Sequence, residues 1–249
     1  MTPRRLYALH RWLSALAFLQ LAVWTGTGLF FAAVSMDSVH GAHVEGAHDW
    51  PIGPAPGALT PTSALACFAA GGMDPSRLEL RATPAGLFYV ARSHDAVLRL
   101  DARTCAGAPV EQEEAELTAQ RDQPGAPPVK SAERIEKAGV EYRGKPLPAW
   151  RVALADETGT VVYVDARTGE VTARRNDLWR TYDFLWSLHI MNYGSREGFH
   201  HPLLIAAASF AVVTVLSGLA LWALRVARWV RTRRSPGPAK PPPERAETS

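Results

Sequence analysis

The sequence predicts an α+β membrane protein: two transmembrane helices flanking a duplicated extracytoplasmic domain of helix plus antiparallel strands. Three observations predict it. Two long apolar runs without charge lie near the ends of the 249-residue chain. Arginines gather on the outer side of each run. The polar middle contains Asp-Ala-Arg-Thr twice, at Asp101–Thr104 and Asp165–Thr168.

The elements follow in chain order. Residues 1–11 form a short basic N-terminus with Arg4, Arg5 and Arg11. Residues 12–36 carry no charged side chain between Trp12 and Met36, and Gln20 is their one strongly polar group. About 20 apolar residues at 1.5 Å each cross a hydrocarbon core, so this is the first expected span. The second is 202–224, PLLIAAASFAVVTVLSGLALWAL, followed over 225–249 by a basic, Pro-rich tail with Arg225, Arg228, Arg231, Arg233 and Arg234. Positive flanks stay in the cytoplasm, which places both termini inside and the middle outside. Ala33-Val34-Ser35 would serve as a signal-peptidase site. The run before it is longer than the usual h-region of about 7–15 residues, and N-terminal sequencing separates the two cases. Gly26, Gly28, Ser217 and Gly218 sit late in the spans, where small residues allow close helix approach.

Between the spans, residues 37–61 are an expected linker, Pro/Gly-rich from Pro51 onward. Unit one covers 62–110 and unit two 130–175, joined by a charged connector over 111–129. Each unit is expected to begin with a helix, Thr62–Ala70 and Lys130–Ala138. Alternating strands then lead to the shared Asp-Ala-Arg-Thr turn, with Gly169 supplying an unusual backbone angle in the second copy. A repeat of about 64 residues is a duplicated unit and not a solenoid array. Asp177–Met191 has helical periodicity, with Leu178, Tyr182, Leu185 and His189 on one stripe, so 177–192 is read as an interfacial amphipathic helix.

Cys67 and Cys105 are the only cysteines, and both fall in the extracytoplasmic part. A disulfide is the simplest reading of that compartment, with about 4 kcal/mol from loop closure; two buried thiols are the alternative. Seven of the eight histidines flank the spans. His10 precedes the first, His40, His43 and His48 follow it, and His189, His200 and His201 precede the second. Neutral imidazoles suit haem iron, copper or zinc. An interfacial helix would bring His189 near His40 and His43, while His10, about 45 Å from His40 along a helix, needs a partner elsewhere. A solvated His-rich loop remains the plain alternative.

The two units resemble PepSY domains. The resemblance rests on Tyr163-Val164-Asp165-Ala166-Arg167-Thr168-Gly169-Glu170-Val171, which closes a hairpin. The first copy departs from this pattern, with Cys105 in place of the turn glycine. The wider chain resembles the PepSY-associated membrane family, which includes iron-regulated membrane proteins and haem-containing reductases. The matching residues are His10-Arg11-Trp12-Leu13, Thr27-Gly28-Leu29, Val39-His40-Gly41-Ala42-His43, Leu188-His189-Ile190-Met191-Asn192-Tyr193 and Phe199-His200-His201-Pro202-Leu203-Leu204. The resemblance implies haem b, held by His10, His40, His43 and His189, in an electron-transfer or accessory subunit linked to iron or metal handling. It also implies a bacterial inner membrane with the middle domain in the periplasm. The expected partners are the lipid bilayer and another redox or membrane subunit or a second copy. A cofactor-free PepSY module that binds or regulates an extracytoplasmic protein such as a protease is the competing expectation. No G-x-S-x-G, H-E-x-x-H, P-loop or dinucleotide fingerprint is present, so at most a redox subunit is expected as an enzyme. The net charge of +3 sits beside the spans without interleaved aromatics, so no nucleic-acid partner is expected.

Overall fold

The computed structural model describes residues 3–41, 50, 55–194, 198 and 200–234. His43, His48 and the tail over 235–249 lie outside them. The chain forms two compact units, Met1–Leu29 with Trp186–Ser249, and Phe30–Leu185.

The first unit is helical. α1 (Pro3–Ala33) and α6 (Pro202–Arg234) are both long and apolar enough to cross a membrane. Pro202 opens α6, where its missing N–H is not needed. The less exposed residues of α1 step by three and four: His10, Leu13, Ala17, Gln20, Trp24 and Thr27. Those of α6 do the same: Leu204, Ala207, Ala211, Thr214, Gly218 and Leu221. Such spacing puts the less exposed residues on one face of each helix. Leu16, Phe18, Leu29, Ile205, Val215 and Trp222 point outward, as side chains solvated by lipid do. α5 (Asp177–His189) delivers its last turn to this unit. It ends with Met191 in the left-handed region at φ 53, and the Asn192 N–H donates to Ser187 O at 3.1 Å, closing the helix without glycine.

The second unit holds the duplication. After the short α2 (Met36–His40) come α3 (Pro61–Ala70), β1 (Arg77–Thr83), β2 (Gly86–Arg92) and β3 (Val97–Asp101), the three strands antiparallel in that order. Copy two is α4 (Gln112–Asp122), β4 (Val129–Ile135), β5 (Ala149–Leu154), β6 (Val161–Asp165) and β7 (Val171–Arg175), again an antiparallel meander. Gly107 bridges Leu100 as the stub of a fourth strand in copy one. α3 packs Ala64 and Phe68 on Tyr89 and Ala91, and α4 packs Ala115 and Ala119 on Val152, Val162 and Val164. The other face of the second sheet is covered by Tyr142, from a 3-10 turn (Val140–Tyr142), stacked on Tyr163 at 4.5 Å.

Two element assignments made from the sequence are corrected. Residues 130–138 are not a helix, because β4 occupies Val129–Ile135. The stretch within 111–129 read as a connector contains the helix of copy two. The shared turns are 64 residues apart, Asp101 to Asp165, but the helices start 51 apart, at Pro61 and Gln112. Copy two spends the difference between β4 and β5, on the segment that covers its second face. A single offset therefore placed the second helix too late. In β4, Val129, Ala132 and Ile135 recur every three residues, as on a helix. A bulge at Val129/Ser131 puts Val129 and Ala132 on one face, and Ile135 packs on the other.

The deepest stripe of α5 is Trp179, Asp183 and Ser187, while Leu178, Tyr182, Leu185 and His189 are half-buried. The Arg143 guanidinium pairs with Asp183, and Arg175 lies 4.2 Å over the Trp179 ring. These two contacts turn a polar stripe inward.

Candidate functional site

The helical unit holds two histidines in closely similar settings. His189 closes α5, and its Nδ1 lies 2.7 Å from Thr27 Oγ1 on α1. The Trp24 indole N–H donates to the His189 carbonyl at 2.9 Å, and the Trp186 ring stacks near the imidazole at 6.4 Å. A Cβ on Gly28 would stand 4.0 Å from His189 Cε1, an ordinary contact. The ring is therefore fixed by its hydroxyl, its carbonyl and a neighbouring indole.

His10 lies on α1, and its Nδ1 is 2.7 Å from Ser217 Oγ on α6. Ser14 Oγ is 3.4 Å from Nε2. A Cβ on Gly218 would fall 2.9 Å from His10 Cε1, so this ring occupies space that only glycine leaves open. The groove beside it, about 630 Å³, is lined by Tyr7, Ala8, Arg11 and Ser14. From His10 to Thr27, α1 rises about 26 Å, so the two imidazoles sit at opposite ends of the span and share no ligand.

His40 ends α2 and is exposed, with Gly41 taking the left-handed cap at φ 68. It belongs to the other compact unit. Among the described residues no three His, Cys, Asp or Glu side chains gather as a metal cage. In the sequence Ser217 was visible as a small residue late in the second span, and Thr27 as part of the Thr27-Gly28-Leu29 motif. Their hydroxyl contacts come from helix juxtaposition, which no spacing within one segment encodes. Gly26, read in the same way, has nothing within 4 Å of where its Cβ would be.

In the second unit the two Asp-Ala-Arg-Thr turns are near copies. Asp101 Oδ1 accepts from the N–H groups of Arg103 and Thr104, each at 2.9 Å, and Asp165 Oδ1 accepts from the Arg167 N–H at 2.7 Å. The Arg103 N–H and the Thr104 donors hold the Asp101 carboxyl below its ordinary range, against a smaller opposing effect of burial. Gly169 takes φ 78, and Cys105 takes φ 60 at the matching position. Cys67 and Cys105 are joined as a disulfide with Cα atoms 5.9 Å apart.

The two copies meet through ion pairs. Glu170 of the second turn receives Arg92 at 2.6 Å and Arg81 at 2.8 Å. Arg99, stacked 3.5 Å over Phe88, holds Glu114 of α4 in a two-pronged contact at 2.7 and 3.1 Å, and both side chains are almost fully buried. Backbone and indole bonds finish the joint: Val110 N–H to Ala166 O at 3.0 Å and Trp150 Nε1–H to Val110 O at 2.8 Å.

The family model for the PepSY-associated TM region matches residues 85–241. The match includes the second copy, α5 with His189, and α6; His10 and His40 precede it. Among curated proteins and among solved structures there is no significant match.

Proposed function

The chain belongs to the PepSY-associated TM region family, and on that premise we propose that it is a haem-b-binding membrane subunit carrying electrons to an extracytoplasmic acceptor in iron or metal handling. One observation carries this reading. His10 and His189 are each lodged between helices of the apolar unit, with the ring held by a hydroxyl contact of 2.7 Å. His10 lies within the first apolar helix, and an ionisable group kept within a span marks a functional site before it marks a structural one.

The residues fit such a group. Haem would supply one-electron chemistry when bound, and an imidazole nitrogen could hold its iron. At the first site, Gly218 leaves the space in which the His10 ring stands. Arg11 lines the same groove and can pair with a carboxylate of the group, while Tyr7 and Ala8 give it an apolar wall. At the second, Trp24 and Trp186 fix the turn that presents His189. A second histidine would complete such a site. For His10 we assign this role to a second copy or another membrane subunit. In this reading both termini face the cytoplasm of a bacterial inner membrane and the duplicated domain lies in the periplasm.

An absorption spectrum of detergent-purified protein from haem-replete cells tests it. A Soret band that is lost in His189→Ala, with the protein still in the membrane fraction, is the expected result; no Soret band in the parent protein ends the proposal. The duplication favours a second reading, a cofactor-free module that binds or regulates an extracytoplasmic protein such as a protease. It predicts a co-purifying envelope protein and an unchanged partner level in His10→Ala and His189→Ala.

A further inference from the structure

The hydrogen bonds around the two histidines determine where their protons are. Thr27 Oγ1 lies 2.7 Å from Val23 O and 2.7 Å from His189 Nδ1. A carbonyl oxygen cannot donate, so two oxygens this close require the hydroxyl proton between them, and Thr27 donates to Val23. A hydroxyl has one proton. Nδ1 of His189 must therefore carry its own and donate to Thr27. The same holds at the other end of the span. Ser217 Oγ donates to Thr214 O at 2.7 Å, and His10 Nδ1 stands 2.7 Å from that oxygen. His10 Nδ1 is thus the donor, and in the neutral ring Nε2 carries the lone pair; among the described residues the longer Ser14 contact of 3.4 Å is directed toward it.

We infer that Thr27 and Ser217 are positioning residues that lock His189 and His10 in the Nδ1–H tautomer, making Nε2 the ligating atom at both ends of the helix pair. Each lock is a three-part relay: imidazole N–H, helix hydroxyl, backbone carbonyl of the preceding turn. A metal-binding imidazole requires this arrangement, because the proton on the far nitrogen fixes ring orientation and leaves one lone pair for the metal. The hydroxyls also answer a problem of the apolar phase. A serine or threonine within a span satisfies itself on its own helix, and its oxygen still has a lone pair to offer a second helix. The relay adds no charge of its own to the apolar phase, its three parts being an N–H, a hydroxyl and a carbonyl. The inference rests on the haem reading only for what Nε2 would hold; the tautomer stands without it.

The test uses full-length, detergent-solubilised protein labelled with nitrogen-15 histidine and free of cofactor. His10 and His189 resonances are assigned by His→Ala variants and read for which ring nitrogen is protonated. Both are expected as Nδ1–H. Thr27→Val should release His189 into a mixture of tautomers or to Nε2–H, while Thr27→Ser restores the parent pattern; Ser217→Ala and Ser217→Thr should do the same for His10 alone. Titration with haem then follows the Soret band. Thr27→Val and Ser217→Ala are each expected to weaken one site by about 10- to 100-fold, with the conservative variants near the parent. A parent protein with Nε2–H at both rings overturns the inference, as does a Thr27→Val protein whose His189 keeps its tautomer. Should haem bind nowhere while the tautomers behave as described, the haem reading fails and the relay stands.

Discussion

Gly218 has no Cβ, and the place one would take is 2.9 Å from His10 Cε1. Gly218→Ala must therefore push the His10 ring away from Ser217, since a side-chain end yields more readily than a helix backbone. The expected outcome is a shifted His10 resonance and weakened haem uptake at that site, with His189 unchanged. Gly28→Ala is the control, because its Cβ would make ordinary contact at 4.0 Å and both histidines should keep their signals. Cys105 presents the opposite case, a non-glycine residue at φ 60 where copy two has Gly169. The left-handed region costs an L-residue about 1–2 kcal/mol. With the bridge removed by Cys67→Ser, adding Cys105→Gly should raise the urea midpoint by an amount worth about 1 kcal/mol. A lower midpoint would show that the Cys105 side chain stabilises the turn without its disulfide. The sequence showed the substitution at this turn, and the histidines were legible as motifs. The hydroxyl partners were not, since a tertiary contact between Thr27 and His189 spans 162 positions.

At the scale of elements, α4 explains what was hardest to read. Its inward face is Glu114, Ala115, Ala119 and Asp122, which offers two methyl groups and two carboxylates where a helix pattern calls for large apolar residues. The carboxylates are tolerated inside because Arg99 meets Glu114 and Arg174 meets Asp122, the latter at 2.5 and 2.6 Å. A charge run that looks solvated is therefore the core face of copy two. Strand β6 was legible through its apolar run Val161–Val164, which its burial on both faces matches, and β5 through Trp150-Arg151-Val152. The Arg99–Glu114 pair yields a sharp prediction. Breaking it from one side with Glu114→Ala leaves a buried guanidinium and should cost about 3–5 kcal/mol. Replacing both, as Arg99→Met with Glu114→Leu, should restore most of that loss, because a buried pair and an apolar pair of similar volume are close in stability. Urea unfolding of the parent, Arg99→Met, Glu114→Leu and the double variant gives the coupling energy. Equal losses in the single and double variants would mean that the pair is not the joint described.

At the scale of the molecule, the duplicated domain has its own cores and should unfold cooperatively as a fragment of residues 55–185. Its two copies are joined by charge as well as by packing, so acid should separate them before it melts either sheet. Glu170 is the group to watch. Burial pushes its carboxyl up, but the hydrogen bond from Arg92 and the charges of Arg81 and Arg92 outweigh that, and its pKa lies below the ordinary value. A carboxyl depressed in the folded state adds stability above its unfolded pKa, about 4.3, and loses that stability as pH falls through the folded value. Asp101 is depressed in the same direction by its own turn, and adds to the same loss. The fragment should therefore keep a flat urea midpoint from about pH 7 to pH 5 and weaken below about pH 4. Glu170→Gln should be less stable at neutral pH, since Arg81 and Arg92 lose their counter-charge, and the parent should fall toward it as acid protonates Glu170. Converging curves identify Glu170 as the acid-sensitive link between copies. Curves that stay parallel from neutral pH downward would place the link in the apolar contacts and the Arg99–Glu114 pair, and leave Glu170 a surface contact of little weight.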